Sequence, residues 1–126
     1  MDPQELRFTR THEWVHLDGD IATIGISDFA VKELTDIVHL EFPKVGSAVK
    51  AGQPFGEIES VKSVNDLYAP VSGVVAEVNP ALQADLGLLG QDPFGKAWIA
   101  RIKTADATPV SQLLDYAAYQ ASCAAH

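Results

Sequence analysis

Alternation of apolar and polar residues with a period of two, cut short repeatedly by turn residues, constrains this chain more than any other feature. A helix needs apolar residues three and four apart over a long window, whereas strict alternation marks a strand with one buried face. Trp14-Val15-His16-Leu17 is followed by Asp18-Gly19-Asp20 and then by Ile21-Ala22-Thr23-Ile24-Gly25-Ile26. Asp-Gly between two such runs predicts a hairpin, because glycine accepts the positive φ of a tight turn. Ser27 is placed to cap a short helix over residues 28–34, with Asp28 favourable at its positive end. The stretch Ile37-Val38-His39-Leu40-Glu41-Phe42 alternates so as to put Val38, Leu40 and Phe42 on one face, and Pro43-Lys44-Val45-Gly46 ends it.

Further strands follow at short intervals. Residues 49–52 read as a short strand and turn, 55–60 as the next strand and 65–68 as its partner. That leaves Val61-Lys62-Ser63-Val64 at a hairpin tip. After a turn at 70–73, Val74, Ala76 and Val78 share one face of a strand. Residues 79–95 contain two prolines and three glycines and read as a long surface connection; Trp98-Ile99-Ala100-Arg101-Ile102 supplies the last strand. From Thr108 the pattern turns helical, with Thr108 as cap, Pro109 in the first helical position, and Leu113, Leu114, Tyr116 and Ala117 on a buriable face. The expected architecture is a single mainly β domain over residues 1–126, with one short internal helix, a hairpin at about 55–68 and a helical segment at about 108–122.

Charge and cysteine usage remove whole classes of function. Seventeen acidic against nine basic residues give a formal charge of −8, the wrong sign for a phosphate backbone or an anionic membrane surface. The chain has one cysteine, Cys123, which excludes an intramolecular disulfide and a cysteine-rich zinc site. No uninterrupted apolar run approaches the roughly 18–20 residues of a membrane span. The acidic start Met1-Asp2-Pro3-Gln4-Glu5 resembles neither a secretory signal nor a transit peptide, so the cytoplasm is expected.

Two short motifs imitate chemistry. His12-Glu13-Trp14-Val15-His16 matches the H-E-x-x-H zinc signature, which works only on a helix that stacks both histidines one turn apart. Asp18-Gly19 leaves no room for that helix. Read as a strand, the segment puts Trp14 and both histidines on one face and Glu13 on the other. Gly90-Gln91-Asp92-Pro93-Phe94-Gly95-Lys96-Ala97 nearly matches the phosphate loop, but Ala97 replaces the magnesium-binding hydroxyl and Asp92 would repel phosphate. Cys123 and His126 lie in the terminal tail, without rigid support for a catalytic pair, and His39 reads as a sheet-surface residue. An enzyme in its own right is not expected.

A lone lysine at the tip of a tight hairpin is usually a solubilising charge. Its surroundings here say more. Val45-Gly46, Lys50-Ala51-Gly52-Gln53-Pro54-Phe55-Gly56, Glu59-Ser60-Val61-Lys62 and Tyr68-Ala69-Pro70-Val71-Ser72-Gly73 resemble the lipoyl/biotinyl carrier family. The likeness is greater to its glycine cleavage H protein branch, through Thr11-His12-Glu13-Trp14-Val15, Asp36-Ile37-Val38, Asp92-Pro93-Phe94-Gly95 and Leu113-Leu114-Asp115. It runs from about Leu6 to Tyr119.

The resemblance implies a flattened β-barrel/sandwich hybrid, lipoyl-domain-like, with lipoic acid amide-linked to Lys62. Biotin carriers typically place methionine on both sides of the lysine, and Val61 and Ser63 depart from that. Glu59, Ser60, Val61 and Ser63 would be read by the lipoate ligase or lipoyl transferase. The family's partners are a PLP-dependent glycine decarboxylase (P protein), a folate-dependent aminomethyltransferase (T protein) and dihydrolipoamide dehydrogenase (L protein). The carrier takes an aminomethyl group from the first to the second, and the third reoxidises its dithiol. By the same resemblance Thr11, Glu13 and Asp66 would line a cleft that shelters the cationic group, and no metal is involved. The other reading is a lipoyl relay protein that donates lipoate to other lipoyl-dependent enzymes.

Overall fold

The computed structural model describes residues 2–106 and 108–124. After a 3-10 turn at Pro3–Glu5, strands β1 (Arg7–Phe8), β2 (Glu13–Asp18) and β3 (Ile21–Ile26) lead into helix α1 (Asp28–Leu34). Strands β4 (Ile37–Glu41), β5 (Ala48–Val49), β6 (Pro54–Ser60), β7 (Val64–Tyr68) and β8 (Gly73–Val78) follow. Short helices α2 (Pro80–Ala84) and α3 (Leu88–Gln91) precede β9 (Ala100–Lys103), and α4 (Thr108–Ser111) and α5 (Tyr116–Ala124) close the described chain.

Two antiparallel sheets result, one ordered β1-β2-β3-β9-β8-β5 and the other β4-β6-β7. They form a sandwich that does not close into a barrel, mainly β as expected. The Asp18-Gly19-Asp20 signal holds: Asp18 pairs with Ile21, and Gly19 takes φ 62. Ser27 caps α1 by accepting the Ala30 N–H.

Between the sheets Val15, Ile24, Leu40, Ile58, Leu67, Val71 and Ile102 form the main core. Behind β2 lies a second cluster of Leu6, Phe8, Trp14 and Tyr119, so this strand is covered on both faces. Trp14 lies opposite Gly25, and a Cβ built there would come within 2.5 Å of the indole. Glycine is required because the ring occupies the space. The indole N–H is satisfied at 2.8 Å by the Pro93 carbonyl.

The structure departs from the sequence expectation at several places. Val38 is 53% exposed rather than inward, because the β4–β6 register shifts between Ile37 and His39 and bulges Val38 out. A second shift between Val75 and Glu77 makes Val75 the core residue of β8, leaving Val74 and Ala76 outside. Residues 79–95 are not a plain connection: Asn79 caps α2, and buried Leu82 and Leu89 anchor α2 and α3. The last strand begins at Ala100, two residues later than expected, and ends at Lys103. The C-terminal helical segment is broken, because Leu114 exchanges backbone bonds with Phe8 at 2.8 and 3.0 Å instead of continuing the helix. Asp115 then accepts the Ala118 N–H at the start of α5, and α4 begins on Thr108 itself.

Cys123 is half-buried in α5, packed against the second cluster, not in a loose tail; His126 lies outside the described residues. His39 is exposed on β4. In the 90–97 segment Asp92 accepts the Lys96 N–H, and Ala97 is fully buried. No helix among the described residues is long and apolar enough to cross a membrane.

Candidate functional site

Lys62 stands where β6 turns into β7. The turn is braced from several sides: Ser60 N–H donates to Ser63 O at 2.8 Å, and the Ser60 and Ser63 hydroxyls lie 3.3 Å apart. Asn65 Nδ2 donates to Ser63 Oγ at 3.1 Å, and Val61 N–H donates to Asp36 O at 3.2 Å, tying the tip to the start of β4. Ser60 is 4% exposed and serves the turn from inside. Glu59 is half-buried opposite Val64, Ser63 is half-buried, and Val61 and Lys62 face solvent. Among the described residues the Lys62 amine has no ion pair or side-chain hydrogen bond. The hairpin therefore offers a primary amine on a stiffly held backbone.

At the foot of the same hairpin, between the edge of β7, the start of β2 and α1, lies a cleft of about 460 Å³. Thr11, Glu13 and Asp66 all line it, together with Phe29, Glu33 and Leu34 from α1. Asp66 is four residues from Lys62, so their Cα atoms lie no more than roughly 14 Å apart, the limit of a fully extended chain.

Glu13, expected in a cleft, is almost fully buried there at 1% exposed. Thr11 Oγ1 donates to Glu13 Oε1, Thr9 Oγ1 donates to the same oxygen at 2.6 Å, and Tyr68 N–H donates to Oε2 at 3.3 Å. The last bond joins the free edge of β7 to β2. Burial pushes the carboxyl's pKa above its ordinary value of 4.5, against the hydrogen bonds, which pull it down. A poised carboxyl in a cleft that adjoins an exposed amine can shelter a cationic or hydrogen-bonding group. Asp66, exposed and opposite Glu57, adds negative charge at the rim.

The zinc-like motif takes another form here. The strand starts at Glu13, and His12 sits outside it with φ 77, its Nδ1 2.7 Å from the Tyr119 hydroxyl. Among the described residues no group of three or more His, Cys, Asp or Glu side chains is placed to hold a metal ion.

Thr9 escaped the sequence reading: a turn over residues 9–12, closed by the Thr9 N–H to Glu13 O and His12 N–H to Thr9 O bonds, brings it beside Thr11 and Glu13. Tyr68 contributes through its backbone, and Tyr119 comes from the far end of the chain; neither leaves a local signal.

Residues 6–126 match the family described as Glycine cleavage H-protein. The chain is 50% identical over 115 residues to the glycine cleavage system H protein of Rubrobacter xylanophilus, covering 91% of each chain. It is 49% identical over 119 residues to the glycine cleavage system H protein of Acinetobacter baumannii, covering 94% of this chain and 96% of that one. Among solved structures, a glycine cleavage system H protein from Mycobacterium marinum superposes with a TM-score of 0.86 at 36% identity, covering 94% of this chain and 96% of that chain.

Proposed function

The chain belongs to the glycine cleavage H-protein family, and on that premise we propose that Lys62 is the residue through which it carries lipoate. Membership makes the chain a lipoyl carrier subunit of the glycine cleavage system; the attachment point and the roles around it are our reading. One arrangement supports that reading: an exposed, unpaired amine at a braced hairpin tip, with a carboxyl-lined cleft at the foot of the same hairpin.

An acylating enzyme needs an amine it can reach and a backbone that holds still. Ser60, Ser63 and the Asp36 carbonyl hold the turn, while Val61 and Lys62 project as the surface to be read, with Glu59 beside them. Amide formation removes the lysine charge, which leaves the carrier one unit more negative. Once attached, lipoate supplies a cyclic disulfide, the chemistry that takes up an aminomethyl group together with two electrons.

The chain's own residues do the rest. An approaching cationic amine favours the ionised form of Glu13, offsetting the burial that raises its pKa. Thr9, Thr11 and the Tyr68 N–H fix the carboxylate's direction, Asp66 adds charge at the rim, and the cleft walls exclude water from a group prone to hydrolysis. Nothing in this scheme asks the chain itself to catalyse a reaction.

In this reading the carrier meets the PLP-dependent decarboxylase, the aminomethyltransferase and dihydrolipoamide dehydrogenase in turn, after a lipoate ligase or lipoyl transferase has acted on it. The whole chain serves as one carrier domain, in the cytoplasm. Glycine–bicarbonate exchange, reconstituted with the decarboxylase, provides the test: the lipoylated chain supports exchange and the Lys62→Arg chain does not. Exchange supported by Lys62→Arg would refute the assignment. No exchange with a fully lipoylated wild-type chain would favour the relay reading instead.

A further inference from the structure

The cleft's carboxyl depends on a corner that is held from outside the cleft. Between Thr11 and Glu13 the backbone takes φ 77 at His12, a conformation that residues other than glycine keep only when their surroundings impose it. The His12 N–H donates to Thr9 O at 3.3 Å, and its carbonyl accepts the Ser27 N–H at 2.9 Å. Its ring lies against Phe29 with centroids 5.0 Å apart and edge-on to Tyr119 at 5.7 Å. Its Nδ1 is 2.7 Å from the Tyr119 hydroxyl.

That hydroxyl has a second partner, Ser27 Oγ at 2.5 Å. Ser27 is fully buried and caps α1, the helix that brings Phe29, Glu33 and Leu34 to the opposite wall of the cleft. These bonds fit one proton order, in which Ser27 donates to Tyr119, Tyr119 donates to His12 Nδ1, and Ser27 Oγ accepts the Ala30 N–H; the Cys123 thiol also lies against the Tyr119 hydroxyl. Tyr119 is itself locked, 2% exposed and stacked on Phe8 at 4.5 Å.

We propose that Tyr119 is a positioning residue for the cleft: its hydroxyl ties the Thr11–Glu13 corner, through His12, to the cap of α1, and so fixes both walls around the Glu13 carboxyl. The proposal rests on the reading that Glu13 serves the carried group. A residue in the C-terminal helix thus sets the geometry of a site built from the first strands and first helix. Without the hydroxyl, His12 can relax from its left-handed conformation, and water reaches Glu13.

Tyr119→Phe tests this, since it keeps the ring stacked on Phe8 and removes only the hydroxyl. The readout is the titration of the Glu13 side-chain carboxyl carbon by NMR in the unmodified full chain, with the melting temperature followed alongside. The expected result is a fall of the Glu13 midpoint towards the ordinary carboxylate value. His12→Gly, which removes the ring but accepts the same φ, is expected to give the same fall, and carries the test if Tyr119→Phe does not fold. Combining the two should lower the midpoint no further, because both act through one contact. An unchanged midpoint in the single variants, or shifts that add in the double variant, would overturn the proposal. Lipoylation of Lys62, read separately by intact mass, decides the carrier assignment and leaves this titration unaffected.

Discussion

Glu13 is the residue at which burial and the proposed cleft role meet most directly. Its raised pKa gives stability a definite pH dependence, and the sign follows from where the proton sits. Below pH 4.5 both folded and unfolded chains hold it, so this group's favourable contribution is fully present. As pH rises from 4.5 through the higher folded midpoint, the unfolded chain has released the proton while the folded chain still binds it, so stability falls. Glu13→Gln cannot titrate, and the difference in unfolding free energy between wild type and this variant should shrink or reverse over that window. Denaturant melts across the pH range measure it, and a difference independent of pH would contradict the buried-carboxyl account. In the lipoylated carrier the same substitution should shorten the lifetime of the aminomethyl-loaded state by roughly fivefold or more, as expected for losing a charge-assisted contact. An unchanged decay rate would sink the cleft role. That Thr11, Glu13 and Asp66 lie around one cleft was legible through their family context. The burial of Glu13 was not, since one strand's alternation cannot reveal that the edge of β7 lies across it and donates the Tyr68 N–H.

At the scale of elements, the hairpins were legible and their irregularities were not. Asp18-Gly19-Asp20 and the strands flanking Lys62 carry local signals. The bulges at Val38 and Ala76 reverse the inward face partway along a strand, and they arise from pairing with β6 and β9 rather than from residues of their own. The break after α4 likewise depends on a distant partner, Phe8, which takes Leu114 into a bridge. Leu82 and Leu89 were visible as apolar residues, but prolines and glycines around them suppressed the helical pattern. The β2–β3 pair yields a sharp stability prediction. Gly25→Ala places a methyl group 2.5 Å from the Trp14 ring, which must move out of a fully buried site. Overpacking of this kind costs about 1–3 kcal/mol, read as a lowered denaturation midpoint at unchanged slope. A variant as stable as wild type would show that the ring is not held as described.

The whole molecule is acidic, and that property was legible from the start. On the proposed function, a charge of −8 on a small domain would steer it towards basic surfaces on the enzymes it meets and speed encounter more than it tightens the final complex. Association rates with the decarboxylase and aminomethyltransferase should therefore fall as salt rises from about 0.01 to 0.15 M, as the Debye length shrinks from roughly 30 to 8 Å. Rates indifferent to salt would reduce the acidity to a solubility device. Fold class, too, was legible at this scale; what held the cleft together was not, because its two walls meet through a residue of α5. Of the nine basic side chains, one amine, that of Lys62, is the proposed attachment point of lipoate. Intact-mass analysis of the chain after reaction with a lipoate ligase tests it most directly: wild type should gain one lipoyl group and Lys62→Arg none, and a lipoyl group carried by Lys62→Arg, or an unmodified wild type, would contradict it.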